Sequence, residues 1–499
     1  MRKRSLLSCM LLIVAALFAF AGCAKKASST DAVVVGIQQD LDSLDPHKVE
    51  AAGTREVLFN VFEGLVKPSS TGEMKGAVAE SYTVNAAGTE YTFVLRQGVK
   101  FHNGQTVTAE DVKYSLDRAA GKLEGQEAPL VSDLKTVDKV EIVDEKTIKL
   151  TLASANTEFI AFMSVAIIPK GYDDQAKNPV GTGPYKYVSY TPQDSFVMTR
   201  FDDYWGDKAK IKDVTFRIIT NADSVVMALK AGTIDIYPYL THQQAKELTK
   251  DFNIEVGPTN LVQALFLNND REPLNNADVR RALNMAMNPK EIIDMVFGGY
   301  GNEIGTHFIP ALSLYYDETT KDVYSYDVEK AKQLLADAGY PNGFDLEITV
   351  PGNYEAHCDT AEVLAEQFKK IGVNAKIKKV DWSTWLSDVY NGREYQSTVV
   401  GVDAKLAPGD VMKRFRSDAS NNFINYKNSE YDEIYAKAIA STSQTEKIEL
   451  YHKLQQMLTK DAASVYIQDP AKLVAVKKGI SGFLFYPLYV IDMSTIEYK

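Results

Sequence analysis

Between Tyr91 and Arg118 the chain reads YTFVLRQGVKFHNGQTVTAEDVKYSLDR, and strand, turn and helix-start chemistry follow there in an order that leaves little conformational freedom. Tyr91, Phe93 and Leu95 alternate with Thr92, Val94 and Arg96, so three large apolar side chains share one face of a strand. Asn103-Gly104 supplies a tight turn. Thr108 and Asp111 read as a helix N-cap and its reciprocal partner, and Val112, Leu116 and Ala119 give the helix a buried stripe that ends near Gly121.

Elsewhere strand and helix patterns alternate. Val33–Gln38 reads as a buried strand, followed by a loop over 39–46 and a helix over Ala52–Leu65. Strands are expected at Thr147–Leu152, Asp213–Ile219 and Thr233–Tyr237, with a helix over Ser224–Lys230 before the last. Asp345–Val350, a helix over Glu355–Ile371 and Ala375–Val380 form a βαβ unit, which implies a partly parallel sheet with its ligand crevice at the carboxyl ends of the strands. With 499 residues, 45% hydrophobic and 24% charged, the chain is globular α/β and too long for one ordinary core.

The first 22 residues carry Arg2, Lys3 and Arg4, then an apolar run from Leu6 to Ala21, and end immediately before Cys23. The run is short for a membrane span and small residues directly precede the cysteine, so the segment reads as a lipoprotein signal peptide, with Cys23 lipidated and 24–30 a tether. Removing residues 1–22 takes away three basic residues and no acidic ones, which leaves 52 basic against 66 acidic and a net charge of −14. An acidic chain without a basic tract argues against nucleic acid and against direct adhesion to anionic lipid. Cys358 has no partner but Cys23 in the exported chain, which excludes a disulfide framework.

No catalytic constellation emerges. Ser132-Asp133-Leu134-Lys135 has a serine-x-x-lysine spacing without its companion motifs, and Asp202, Asp203 and Asp207 lack the alternation of a calcium loop. The six histidines include no pair at zinc-ligand spacing, and His102 reads as part of the turn. Gly181–Tyr185 has no P-loop lysine after it. The expectation is a protein that is not an enzyme and holds no cofactor or metal.

The Tyr91–Arg118 block resembles the signature of the solute-binding proteins of ABC importers in family 5, the peptide, nickel and oligopeptide-binding family. Similar blocks follow in order at 180–206, 227–236, 266–301, 326–344 and 364–382, so the resemblance covers nearly all of the exported chain. It implies a type II periplasmic-binding-protein fold, two lobes around a ligand cleft with an extra inserted subdomain. Lobe I would take 31–65, 175–265 and 480–499, the inserted subdomain 66–174, and lobe II 266–479. The implied partners are a short peptide or other small polar solute, an ABC permease and its ATPase. The resemblance also implies a monomer outside the cytoplasm, at the cell surface or in the periplasm, held to the membrane by its N-terminal lipid alone. The alternatives are a non-peptide solute (a sugar, an opine-like compound, a metal chelate) and a surface pheromone or solute sensor.

Substrate choice is expected in loops after strands. Asn353 and His357 follow the Asp345–Val350 strand, where oligopeptide receptors of this family bring an asparagine and a histidine to the ligand; helix capping is the other role open to Asn353. After the strand Ser397–Val402, peptide-binding members carry an aspartate that pairs with the ligand's ammonium group, and alignment puts Lys405 at that position. Three readings stand side by side: Asp403 or Asp410 replaces the missing acid, Lys405 marks an anionic ligand, or Lys405 points to solvent. Trp382 and Trp385 flank another strand end and are open to stacking on ligand or to packing the lobe. Glu50 and Thr54 in the EAAGTR stretch, Gln263 before a strand crossing between lobes, and Tyr237 with Tyr239 complete the set.

Overall fold

In the computed structural model, which describes residues 31–499 apart from 222 and 404, the alternating segment Glu90–Leu95 is a strand with Tyr91 and Phe93 wholly buried. It pairs with Ala79–Val84 and Thr147–Leu152, and the latter pairs with Val137–Asp144, giving a small antiparallel sheet. The helix Ala109–Ala119 lays Val112, Leu116 and Ala119 onto that sheet. Its capping box is formed: Asp111 N–H donates to Thr108 Oγ1 at 3.3 Å, and Thr108 N–H donates to Asp111 Oδ2 at 2.9 Å. At the turn, Gln105 N–H donates to Asn103 Oδ1 and Gly104 takes a φ of +89°, which glycine adopts without steric penalty.

The main sheet has twelve strands among the described residues, numbered in chain order: β1 (Ala32–Ile37), β2 (Tyr185–Thr191), β3 (Ser195–Arg200), β4 (Asp213–Ile218), β5 (Ile236–Tyr237), β6 (Phe252–Pro258), β7 (Leu261–Leu267), β8 (Gly301–Glu303), β9 (Asp345–Pro351), β10 (Asn374–Val380), β11 (Ser397–Asp403) and β12 (Ser464–Lys477). Their spatial order is β10-β9-β11-β7-β12-β5-β1-β4-β3-β2, with β6 and β8 also paired to β12. β9 runs parallel to β10 and β11, and the helix Glu355–Lys369 buries Cys358, Ala361, Leu364 and Phe368 between them, as the βαβ pattern requires.

β12 belongs to both halves of this sheet. Ser464–Gln468 pair with β7, and Ala471–Lys477 pair with β6, so the strand changes neighbours at Asp469-Pro470. β6 and β7 make the second crossing through Thr259-Asn260. Separate apolar cores lie on either side: Phe266, Trp385 and Tyr431, and then Leu283, Leu346 and Leu364, in one half; Val35, Phe196 and Ile236, and then Leu229 and Leu473, in the other.

The helix expected over Ala52–Leu65 stops at Leu58. Asn60 ends it by tertiary bonding, because its Nδ2 donates to Ile491 O at 2.8 Å and its Oδ1 accepts from Met493 N–H at 2.8 Å. The straightened chain then receives the Gly181–Tyr185 turn through Val61 O and Asn60 O. A Cβ on Gly181 would sit 2.1 Å from Val61 O, so that turn is a close backbone contact. The expected signal over residues 1–22, Cys23 and the tether 24–30 lie outside the described residues.

Candidate functional site

At the two crossings lies a cavity of about 420 Å³, within the range of small-ligand sites. Its floor comes from the segment after β1 and from the helix Ala52–Leu58, its back from Thr259, Asn260 and Lys472, and one wall from Tyr239, Tyr486 and Tyr489. Glu56 is 2% exposed and is the charged centre of this wall. Lys472 Nζ donates to Glu56 Oε1 at 3.0 Å, the Tyr239 hydroxyl donates to Oε2, and the ammonium lies 5.0 Å from the Tyr239 ring. A buried carboxylate is tolerated because both oxygens are bonded and its cation is beside it. Burial and then the Glu56 charge push the Tyr239 hydroxyl far above its usual range, so it remains a donor.

Outside the cavity lining, the carboxyl ends of β9, β10 and β11 form a rim on one edge of the sheet because these strands are parallel. Asp403 ends β11, is exposed, and accepts from the Tyr489 hydroxyl at 2.5 Å, tying this rim to the tyrosine wall. Burial and the Asp403 charge hold the Tyr489 hydroxyl protonated. Lys405 is exposed. Asp410 is half-buried, and burial raises its carboxyl, with Lys413 and Lys405 opposing. Trp382, 38% exposed, stacks on Trp385 at 5.0 Å, and Trp385 is buried with its Nε1 donating to Thr398 Oγ1 at 3.0 Å. Asn353 is exposed beside Tyr354, and the helix that follows has Tyr354 at its N-cap without a side-chain cap.

Other expected residues lie behind this surface. Gly401 N–H donates to His357 Nε2 at 3.1 Å, and His357 Nδ1 lies 3.0 Å from Gln263 Nε2. Burial pushes the imidazole down to about 4, so His357 is neutral at pH 7. Gln263 is wholly buried and also meets Gln468 at 2.7 Å, so the pair joins both crossing strands to the helix after β9. Thr54 is wholly buried and its Oγ1 accepts from Asp42 N–H, while exposed Glu50 donates its N–H to Asp42 Oδ2. Tyr237 is 1% exposed with its hydroxyl 3.3 Å from Gln38 Nε2; of the two tyrosines, Tyr239 lines the cavity.

Glu56, Lys472, Tyr489 and Arg414 escaped sequence reasoning. Glu56 and Lys472 stand 416 positions apart, and neither sits in a local motif. The signal that remained was the acid directly before Val57-Leu58 in the last turn of the helix Ala52–Leu58. Arg414 has one guanidinium nitrogen, Nη1, buried without a hydrogen-bond partner among the described residues. Burial lowers its pKa, opposed by the charges of Tyr390 and Asp403. Two sheet halves joined by crossing strands over a cavity, with the small sheet as an extra body, define a two-lobed type II periplasmic-binding fold.

The family model for bacterial extracellular solute-binding proteins, family 5 Middle, matches residues 73–423. The chain belongs to that family, the solute-capturing components of ABC transporters. The glutathione-binding protein GsiB of Salmonella typhimurium is 28% identical over 476 residues, covering 91% of this chain and 92% of that protein. HbpA2 from Haemophilus parasuis superposes with a TM-score of 0.85 at 26% identity, over 94% of this chain and 100% of the other. The periplasmic binding protein DppA from Helicobacter pylori, solved with the peptide STSA, has a TM-score of 0.73 at 27% identity, over 94% and 98% of the two chains.

Proposed function

We propose that the protein captures a short peptide between its lobes and delivers it to a membrane permease, as a monomer held at the membrane by lipid on Cys23. The cavity at the strand crossings carries this reading: it lies where hinge motion closes two walls on a solute, and its size and tyrosine-rich lining suit a small polar ligand. Asp403 offers an acceptor for an ammonium group, and the Arg414 guanidinium, whose charge reaches Asp403, suits a carboxylate. A zwitterion such as a peptide uses both. Lobe I takes 31–65, 175–265 and 480–499, the inserted subdomain 66–174 and lobe II 266–479, with hinge bending at Thr259-Asn260 and Asp469-Pro470.

The protein performs no chemistry of its own, and ATP hydrolysis by a partner drives transport. GsiB binds glutathione and the DppA complex holds a peptide, which supports peptide over a sugar, an opine-like compound or a metal chelate. The test is mass spectrometry of solute released by denaturing the purified protein. Peptides of two to five residues are expected; a sugar or a metal chelate as the released solute would overturn the peptide assignment, and recovery of cleaved peptide after incubation would overturn the non-enzymatic one.

A further inference from the structure

Thr157 and Glu158 leave the small-sheet body and enter the helical body that carries the 403–410 loop. Thr157 N–H and Oγ1 both donate to Ile439 O, at 3.2 and 2.9 Å, and Oγ1 also lies 2.9 Å from Ser441 O, at the end of the helix Ser429–Ala440. Glu158 is 6% exposed. Its Oε2 accepts from Gly409 N–H at 2.7 Å, and its Oε1 accepts from the Tyr451 hydroxyl on the helix Gln444–Lys460. Lys447, on that same helix and 7% exposed, adds a cation to the surroundings of the carboxylate.

The near side of this contact is equally well held. The Tyr91 hydroxyl donates to Asn156 O at 2.7 Å, and Asn156 Oδ1 accepts from Glu158 N–H at 2.9 Å, so the segment is braced by the small sheet. On the far side, Gly409 has no room for a side chain: a Cβ would meet Glu158 Oε2 at 2.8 Å and the Tyr451 hydroxyl oxygen at 3.0 Å. Gly409 lies one residue before Asp410 in the short helix Pro408–Met412, which the chain reaches from Asp403 at the end of β11.

We propose that Glu158 is a positioning residue for ligand capture: through Gly409 it fixes the 403–410 loop to the small-sheet body, so that the recognition loop is held in its ligand-ready geometry from outside its own lobe. The proposal rests on the reading that this loop faces the ligand. It gives the inserted subdomain a part in recognition although none of its residues lines the cavity. Gln at 158 keeps an acceptor for Gly409 N–H and a polar partner for Tyr451, whereas Ala keeps neither.

The experiment uses the full chain and two readouts: backbone hydrogen exchange over Asp403–Met412, and calorimetric affinity for glutathione and for the peptide Ser-Thr-Ser-Ala. Glu158→Ala is expected to speed exchange over that segment at least tenfold and to weaken binding at least tenfold. Glu158→Gln is expected to restore both to within threefold of wild type. Gly409→Ala, which displaces the carboxylate without removing it, is expected to reproduce the alanine result. Affinity within twofold of wild type in Glu158→Ala, with exchange accelerated, would overturn the positioning role. Should neither probe bind the wild-type chain, the peptide reading fails on its own account, and exchange decides the clasp: unchanged protection in Glu158→Ala overturns it and accelerated exchange supports it.

Discussion

Asp469 sits where β12 changes neighbours, wholly buried, with Oδ1 accepting from Thr259 Oγ1 at 2.7 Å and Oδ2 without a partner among the described residues. Burial raises its pKa to about 7, opposed by Thr259 and Leu261, and Tyr316 feels its charge. Between the ordinary carboxylate range and pH 7 the unfolded chain has lost this proton while the folded chain retains it, so stability falls as pH rises through that window and is level above it. At about 1.4 kcal/mol per pH unit of displacement, the cost at pH 8 is on the order of 4 kcal/mol. Asp469→Asn is therefore expected to raise the melting temperature at pH 8 and to leave it unchanged near pH 4. A melting difference that is the same at both pH values would remove the carboxyl from this account.

At the scale of elements, what was legible in the sequence was local. The Tyr91–Arg118 block could be read because alternation, turn and cap each act within a few residues, and each reappears in the structure. The cap is also measurable: Thr108→Ala should cost about 1 kcal/mol. That loss corresponds to about fivefold faster hydrogen exchange at the amides of Glu110 and Asp111, with no change in the helix Gln444–Lys460. The helix Ala52–Leu58 was overrun in the sequence reading because what ends it, the Asn60 side chain on Ile491 and Met493, is supplied from more than 400 residues away. The cavity wall was visible only at Tyr239 for the same reason, since Glu56 and Lys472 stand 416 positions apart and share no motif. The loops after β9, β10 and β11 could be located in advance because parallel strands put their carboxyl ends on one edge, but His357 and Gln263 needed the structure to show that they bond each other.

For the whole molecule, the two crossings make the joint thin. The backbone passes between the paired strands of the two sheet halves, among the described residues, at Thr259-Asn260 and Asp469-Pro470, and the other ties in this region include Asp403 to Tyr489 and Ala471 N–H to Tyr300 O. Among the described residues no helix is long and apolar enough to cross a membrane, and the attachment proposed above is lipid on Cys23. Cys23→Ser is expected to move the protein from the membrane fraction to the soluble fraction, and a diacylglyceryl mass increment on the wild-type N-terminal peptide is expected alongside it. The central claim is that solute binds in the cavity at the strand crossings. It is tested most directly by calorimetric titration of the wild-type protein and of Ala471→Trp, which fills that cavity, with the peptide recovered by mass spectrometry. The account requires micromolar or tighter binding by the wild type, about −8 kcal/mol, and no measurable binding by the variant. Equal affinity in the two proteins would contradict it.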